Sequence, residues 1–392
     1  MADTRIDGPR LARRDEYPEI LDLVDRCFQR ADGVMEAEWA HCYDRSKPEQ
    51  HAIIKRDGRV VANVGCVFET LVVGDTEIPS AGITGVATDY RYRGEGYMSQ
   101  LLEFWLDRMD ERGVVLSELG GDRKRYGRFG WEVAGRDRYY RITDRSFVDR
   151  PDRDEDVGHS SRDEYVDRYD GSDEAIAFVT ELYRTKRLRV KRDSDAFRTR
   201  LGRSNLETIT YAEPGAEAYL TFSRGNRGGW IYEVAGSERG VRVLLAYVFD
   251  VFGPETLRCR LHPSDPLNGL FGSPDVSARW RTVPHRSVNI RNLSGLLEAF
   301  SGQLARRWSR TGGEAGTLVL GITGEDEPVA IEWSDGGVTA GPTDDEPDLD
   351  LDRLAMTRLL FGYPETVVGY DGHQFLDAVL PLNFYLPRTD QV

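Results

Sequence analysis

The sequence is poor in cysteine, histidine and long apolar runs, and each shortage argues against a class of protein. Its 4 cysteines show no Cys-x-x-Cys spacing, which speaks against a disulfide framework or a zinc ribbon. Its 6 histidines show no ligand spacing either, so we predict no bound metal. No stretch approaches the roughly 20 apolar residues of a membrane span, and Met1–Arg14 is too polar for a signal peptide. We therefore expect a cytoplasmic protein with reduced thiols.

Positive charge is also in short supply, because the formal net charge is -15 at pH 7. Nucleic-acid binding needs a basic face that displaces counterions, so we predict no nucleic-acid partner. The acidity suits a basic partner or a cationic small molecule, and it suits simple solubility equally well. With 392 residues, 40% of them hydrophobic, the chain is long enough for two or three folded domains.

The first part of the chain, residues 1–150, alternates between helical and strand patterns. Apolar spacing predicts helices at Tyr17–Phe28 and Tyr97–Gly113, the second ending at a C-cap glycine. His51–Thr88 is typical of a strand meander, with a hairpin turn at Asp57-Gly58. Arg145–Glu164 is polar, charge-dense and poor in apolar residues. We interpret it as the linker that ends the first domain.

Two further regions follow the linker. In residues 151–285 the hairpin Ala218–Gly236 is followed by a helix, which repeats the strand, turn and helix order of the first region and predicts a degenerate second copy of it. Residues 286–392 differ, with a helix at Asn292–Trp308 and short strands after it. Asp348–Gly362 predicts a helix entered through acidic residues, whose first five positions suit a strand edge better than a calcium loop.

The most informative stretch is VATDYRYRGEGYMSQLL, Val86–Leu102, where a strand runs through a short loop into a helix. Glycines at 94 and 96 permit positive φ and a close backbone approach. Free N–H groups at the start of a helix attract anions, and Arg91 and Arg93 add charge for phosphate. The pattern indicates a pyrophosphate-binding loop formed by Arg91, Arg93, Gly94 and Gly96, with an exposed turn solvated by arginines as the alternative.

Other phosphate-binding and hydrolytic motifs do not fit. Ser99 stands where a dinucleotide fingerprint needs its third glycine, and no G-x-x-x-x-G-K-[ST] run occurs. Protein-kinase motifs and a G-x-S-x-G elbow are absent as well. The remaining pattern, R-x-x-G-x-G after a strand, resembles motif A of the GNAT (GCN5-related) N-acetyltransferases, where it binds the pyrophosphate of acetyl-coenzyme A.

A second segment, RKRYGRFGWEVAG at Arg123–Gly135, strengthens this resemblance. It is similar to the late helix and closing strand of the GNAT family, in which a tyrosine precedes Phe-Gly and an aromatic residue. The resemblance implies an α/β (α+β) GNAT fold with a mixed central sheet. It also places Tyr126 at the position of the usual catalytic tyrosine.

The layout of the whole chain resembles the enhanced-intracellular-survival (Eis) type of GNAT protein. That resemblance implies a GNAT domain at 1–150, a degenerate GNAT-like domain at 151–285 and a sterol-carrier-protein-like domain at 286–392. It also implies a homo-oligomer, hexameric in the family, and a catalytic base supplied by the chain's own terminal carboxylate, here on Val392. One departure is Gly121, which replaces a serine that the family places near the cofactor five residues before the tyrosine.

These parts together imply a mechanism. We expect the acyl thioester to lie along Thr84–Thr88, with Thr84 and Val86 contacting the cofactor and a backbone N–H near Val86 polarising the carbonyl. The Val392 carboxylate takes the proton of the amine, directly or through water, and Tyr126 protonates the departing thiolate. Glu118 and Asp122 are alternative bases or ammonium-binding carboxylates, although we expect each to be a solvated strand end.

The prediction is therefore an acetyl-CoA-dependent N-acetyltransferase. Its acceptor is a cationic primary amine: an aminoglycoside-like compound, a polyamine or a lysine side chain. The competing prediction is a non-catalytic protein that senses CoA or binds a lipid or partner through its C-terminal domain.

Overall fold

A computed structural model describes residues 5–143, 163–225 and 228–392 of the chain. In these residues, strands of 3 to 15 residues alternate with helices of 4 to 16 residues. The strands are β1 (Ile6–Leu11), β2 (His51–Arg56), β3 (Arg59–Val73), β4 (Thr76–Thr88), β5 (Leu116–Leu119), β6 (Glu132–Thr143), β7 (Val166–Arg168), β8 (Leu188–Val190), β9 (Leu206–Tyr211), β10 (Ala218–Ser223), β11 (Gly229–Gly236), β12 (Thr256–Leu261), β13 (Ser277–Ile290), β14 (Gly316–Ile322), β15 (Val329–Ser334), β16 (Gly337–Pro342) and β17 (Leu349–Leu351). The helices are α1 (Tyr17–Cys27), α2 (Val34–Glu38), α3 (Tyr97–Glu111), α4 (Arg123–Tyr126), α5 (Asp173–Arg184), α6 (Ser194–Leu201), α7 (Glu238–Phe252), α8 (Asn268–Gly272), α9 (Leu293–Trp308), α10 (Arg353–Leu360) and α11 (Gln374–Val379).

The chain divides into two compact units. The first unit combines residues 1–135 with 285–384 and Val392, and the second combines 136–284 with 385–391. The predicted linker, Arg145–Glu164, lies outside the described residues except for its last two positions. The predicted three-domain division at 150 and 285 stays a prediction.

The sheet of the first unit is built around the predicted meander. Its strand order is β1-β2-β3-β4-β5-β13, with antiparallel pairs except for the parallel pair β4–β5. The β2–β3 hairpin turns at Asp57 and Gly58, which both have positive φ, as the Asp-Gly signal predicts. Side chains alternate between two cores: Ile53 packs with α1, whereas Ala52 and Ile54 pack with α3.

The helix α3 is held by an apolar stripe. Leu101, Leu102, Trp105 and Met109 are buried, and each such burial stabilises the fold by about 1.5–3 kcal/mol. The indole N–H of Trp105 donates to the carbonyl of Val64 at 2.9 Å, so the helix is also tied to β3. Gly113 has φ +62° and follows the last turn, as the C-cap prediction required.

The strand β4 carries a bulge where its pairing changes. Ala87 pairs with Asn63 and Thr84 pairs with Gly65, so Gly85 and Val86 together face one residue of β3. Gly85 has φ +56°, a conformation that suits glycine. β5 pairs with β4 only over Ser80–Ile83, so the last part of β4 continues without β5 and a cleft opens between the two strands.

The last part of the first unit forms a separate small sheet. Its order is β16-β15-β14-β17, and α9, α10 and α11 belong to the same segment. The prediction that the first five positions of Asp348–Gly362 form a strand edge leading into a helix is confirmed, because Leu349–Leu351 is a strand paired with β14 and the helix begins at Arg353. The Asp-Leu alternation favours a strand there, and Asp352 then caps α10 by accepting from the Ala355 N–H at 2.8 Å.

Within the second unit the strand order is β6-β12-β11-β10-β9-β7. The strand β11 leads into α7, so the strand, turn and helix order predicted for this region is present. The start of α7 differs from that of α3, because the Ser237 hydroxyl accepts from the Gly240 N–H at 3.0 Å and occupies the helix N-terminus. That this unit contains a degenerate GNAT-like domain stays a prediction.

A buried ionic cluster anchors the tail segment within the second unit. Arg192 has no exposed side-chain surface, and its Nη2 lies 2.6 Å from Glu233 Oε2 and 2.7 Å from Asp390 Oδ1. The Tyr183 hydroxyl donates to Asp390 Oδ2 at 2.7 Å. Removal of one partner from such a buried cluster typically costs about 3–5 kcal/mol.

Candidate active site

A cavity of about 860 Å³ opens in the first unit where β4 and β5 part. Its walls are residues 83–88 of β4, the loop after β4 and the start of α3, the segment that follows β5, and the ends of α1 and α2. The lining includes most of the predicted site residues: Thr84, Val86, Arg93, Gly94, Gly96, Tyr126 and Val392. Predictions made from distant parts of the sequence thus converge on one place.

The loop side of the cavity has the features of an anion site. Gly94 and Gly96 have φ +88° and +82°, and no atom lies within 3.8 Å of the position that a Cβ would take on either one. The first turn of α3 contains no acidic residue, and no side chain caps it. The N–H groups of this turn are therefore not capped by a side chain, and residues 96–99 line the cavity, which suits a phosphate.

The two predicted loop arginines are placed differently. Arg93 lines the cavity, and its Nε donates to the Thr88 carbonyl at 3.3 Å. Arg91 is outside the lining: its Nε and Nη2 donate to the two oxygens of Asp89 at 3.1 and 2.9 Å. Hydrogen bonding to Asp89 also holds the pKa of Arg91 above its ordinary value. The direct phosphate contact predicted for Arg91 is therefore carried better by Arg93.

Further arginines line the cavity that the sequence analysis did not single out. The other arginines in the lining are Arg30, Arg125, Arg128 and Arg286, whereas the acidic side chain there is that of Asp122. Arg128 Nη2 donates to the Ser99 hydroxyl at 3.0 Å, beside the start of α3. Arg125 and Arg128 lie within the RKRYGRFGW segment, so their charge was a usable signal. The local field favours a polyanionic ligand.

Tyr126 is presented to the cavity by the short helix α4. Asp122 starts this helix by accepting from the Lys124 N–H at 2.8 Å. The Tyr126 ring is 6% exposed, and burial raises the pKa of its hydroxyl while Arg125 opposes the shift. The hydroxyl is thus protonated at neutral pH and can donate a proton.

Gly121 lies directly against the Tyr126 ring. A Cβ added to Gly121 would lie 3.0 Å from Cδ2 and 3.4 Å from Cζ of Tyr126, with Cε2 closer still. Gly121, which stands where the resembled family has a serine, therefore leaves free the space that the Tyr126 ring occupies. A side chain at residue 121 and this placement of Tyr126 exclude each other.

Val392 enters the cavity from the other end of the chain. It is 8% exposed and packs with the core of α1 and α2. Arg286 Nη2 donates to the Val392 main-chain oxygen at 2.8 Å, and Glu118 Oε1 accepts from the Val392 N–H at 3.3 Å. A Cβ on Gly82 would lie 3.2 Å from the Val392 Cβ, so only glycine leaves room for this residue on β4.

The two alternative carboxylates have separate environments. Glu118 was expected to be solvated, and this is wrong: it is 7% exposed and pairs with Arg286. Burial raises the pKa of Glu118, and the neighbouring Arg286 opposes that shift. Glu118 is not part of the cavity lining, whereas the exposed Asp122 caps α4 at the rim. Neither Arg286 nor Gly82 belongs to a motif, so the sequence carried no signal for them.

Comparison with known proteins identifies the domain that holds this cavity. Residues 9–134 match a family profile described as an acetyltransferase (GNAT) domain. This chain carries a GNAT acetyltransferase domain. An uncharacterized N-acetyltransferase, YhbS of Escherichia coli (strain K12), is 33% identical to this chain over 78 residues, which are 20% of this chain and 46% of YhbS. The chain thus spans about half the length of the curated relatives it matches.

Solved structures extend the likeness beyond the GNAT domain. A GCN5-related N-acetyltransferase from Kribbella flavida has a TM-score of 0.73 at 17% identity, with 100% of both chains covered. A probable N-acyltransferase from Enterococcus faecalis V583 has a TM-score of 0.71 at 19% sequence identity, again with 100% of both chains covered. Eis1 from Mycobacterium abscessus has a TM-score of 0.65 at 16% sequence identity, and the match covers 99% of this chain and 100% of Eis1. These identities show a shared fold, and the predicted mixed α/β class with a GNAT fold is confirmed.

The described residues contain neither a metal-binding cluster nor a membrane-spanning helix. Within residues 5–143, 163–225 and 228–392, no three His, Cys, Asp or Glu side chains are grouped to hold a metal ion. In the same part of the chain, none of the helices has the length and apolar character needed to cross a bilayer.

Proposed function

We propose that the protein is an acetyl-CoA-dependent N-acetyltransferase that acts on a primary amine. The observation that carries this proposal is the shared cavity of the GNAT domain, which the glycine loop, the bulged strand, Tyr126 and Val392 all line. Each feature alone has a simple structural explanation. Their arrangement around one cleft supports a proposal in which a cofactor site, an acid (Tyr126) and a base (Val392) share one cavity.

The cofactor side follows from charge and backbone geometry. The start of α3, with Gly94 and Gly96, would hold the pyrophosphate, and Arg93 and Arg128 supply charge beside it. The end of β4 pairs with β3 but not with β5, so its main-chain groups on the β5 side are offered to the pantetheine arm. Bound acetyl-CoA would supply the activated acyl thioester.

Proton transfer would be divided between Val392, as the base, and Tyr126, as the acid. An amine attacks only when neutral, so its proton must go to a base; the Val392 carboxylate lies in the cavity and takes this role directly or through a water. An α-carboxyl is a weak base by its ordinary pKa of about 3.5, so most of the rate comes from holding both substrates in place. Tyr126 gives its proton to the departing sulfur.

The acceptor belongs to the class of cationic amines: aminoglycoside-like compounds, polyamines or lysine side chains. The overall charge of -15 supports this class by long-range attraction. The wall formed by Phe28, Met35 and Trp39 adds apolar surface on which the body of an acceptor can pack. The degenerate second GNAT-like domain, the sterol-carrier-like C-terminal domain and a homo-oligomer complete the proposal from the Eis resemblance.

The test is an acetyl-CoA consumption screen across an amine panel, combined with calorimetric CoA binding. We expect micromolar to millimolar KM values and saturable turnover with at least one amine class. Tyr126→Phe should reduce kcat by about tenfold or more while CoA affinity is kept. Tyr165→Phe, an exposed tyrosine of the second unit, is the control. CoA binding without turnover on any amine would instead support the non-catalytic sensor, and no CoA binding would overturn both.

A further inference from the structure

The bulge of β4 is fastened from behind by a buried asparagine. Asn63 on β3 is 0% exposed, and its Nδ2 donates to the Gly85 carbonyl at 2.8 Å. Its other amide atom, Oδ1, lies 3.2 Å from Nδ1 of the fully buried His51. Because Nδ2 is the donor to Gly85, Oδ1 must accept from a protonated Nδ1 of His51. Both ends of the Asn63 amide are therefore engaged.

This contact sets the direction of one peptide group. In a planar trans peptide the C=O and the following N–H point in opposite directions. The C=O of Gly85 points at Asn63, so the N–H of Val86 points away from it. Asn63 lies outside the cavity lining, whereas Val86 belongs to it. The N–H is thus directed to the side of β4 on which the cleft lies.

The same peptide is one that could turn over. Gly85 has φ +56° and lacks a Cβ, and glycine crosses between backbone regions more easily than other residues. A flip of the Gly85–Val86 peptide would exchange the N–H for a carbonyl oxygen. A carbonyl at that point would repel the oxygen of a thioester, so the orientation has chemical consequences.

We propose that Asn63, supported by His51, is a positioning residue that locks the Gly85–Val86 peptide with its N–H toward the thioester carbonyl. The inference rests on the proposed acetyl-CoA site and specifies what the bulge does there. Asn63 touches no substrate and acts through the Val86 N–H alone.

The decisive experiment compares acetyl-CoA with CoA, because only the thioester has the carbonyl that the N–H would contact. Calorimetry of Asn63→Leu should show an acetyl-CoA affinity about three- to tenfold weaker, as one neutral hydrogen bond is lost, with CoA affinity unchanged. The kcat should fall about hundredfold, as for other lost oxyanion donors, with KM for the amine unchanged. Asn63→Ser, whose hydroxyl is too short to reach Gly85, should behave alike and guards against a folding defect of the leucine variant.

Asn289→Leu is the matched control. Asn289 is equally buried in the first unit and its Nδ2 also donates to a main-chain carbonyl, that of Phe129 at 2.9 Å, but Phe129, unlike Gly85, does not line the cavity. Asn289→Leu should leave the ratio of acetyl-CoA affinity to CoA affinity at the wild-type value. Equal weakening of acetyl-CoA and CoA by the Asn63 variants, or a kcat loss shared by Asn289→Leu, would overturn the inference. Failure of the wild-type protein to bind either compound would overturn the proposed function instead.

Discussion

A side chain at residue 121 is the most direct way to disturb the proposed acid. In Gly121→Ala the new Cβ would overlap the Tyr126 ring, lying 3.0 Å from Cδ2 with Cε2 closer still. Normal carbon separations are about 3.5–4.0 Å, so the ring must withdraw by about 1 Å. A displacement of about 1 Å at a reacting group can cost about a hundredfold in rate. We therefore expect kcat to fall by about ten- to hundredfold.

The design gains a matched control from the neighbouring Gly127. A Cβ there would meet only Leu354 Cδ1 at 3.8 Å, an ordinary contact, and its φ of -59° is open to alanine. Gly127→Ala should keep the wild-type kcat. Both variants are assayed by thiol release from acetyl-CoA, with calorimetric CoA binding and thermal unfolding as checks. A Gly121→Ala protein with wild-type kcat, or a Gly127→Ala protein equally impaired, would refute the reasoning.

Three other predictions follow from the same geometry. Arg93→Ala should weaken CoA binding about tenfold in calorimetry, since it removes a charged partner of phosphate. Arg91→Ala should change the CoA affinity less than about threefold, because Asp89 engages that guanidinium. A larger loss of CoA affinity in Arg91→Ala than in Arg93→Ala would contradict the site. Burial lowers the pKa of His51 to about 4 from 6.5, so the unfolded chain binds more protons between those pH values and stability is lost as pH falls through this window. From pH 7 to pH 5 the His51 contribution should drop by about 2 kcal/mol, and urea unfolding should show that extra slope in the wild type but not in His51→Phe. Adding one alanine after Val392 moves the terminal carboxylate by about 3.8 Å and should lower kcat about a hundredfold at unchanged CoA affinity. The control Val392→Ile should remain active. An extended protein with wild-type kcat would rule out the terminal carboxylate as base.

Arg91 and Arg93 occupy different environments that the loop motif does not distinguish. Both arginines belong to the same loop motif, and charge alone cannot rank them. Asp89, one position before the 3-10 turn Tyr90–Tyr92, accepts both from the Arg91 N–H and from its guanidinium. This short-range competition draws Arg91 away from the cavity. The carboxylate was visible in the sequence, but its direction depends on the turn geometry.

Short-range patterns determined the parts of the protein whose physics is local. The Asp57-Gly58 turn, the α3 helix with its C-terminal Gly113, and the glycine loop before α3 depend on neighbours a few positions away, and the fold places them as predicted. The cavity then gathers Tyr126 and the loop because one β-α-β unit links them. Local conformational preference and hydrophobic spacing are sufficient for such features.

Tertiary structure alone decided the groups that hold the site in place. Asn63 and Gly85 are 22 residues apart, Arg286 and Val392 are 106 apart, and Glu118 and Arg286 are 168 apart. No local propensity links such partners, because each contact exists only after strands from different parts of the chain have paired. The burial of Glu118 has the same origin, since the strand end expected to be solvated is covered once β13 pairs with β5. Charge, exposure and the direction of a single peptide group therefore depend on packing that sequence spacing does not encode.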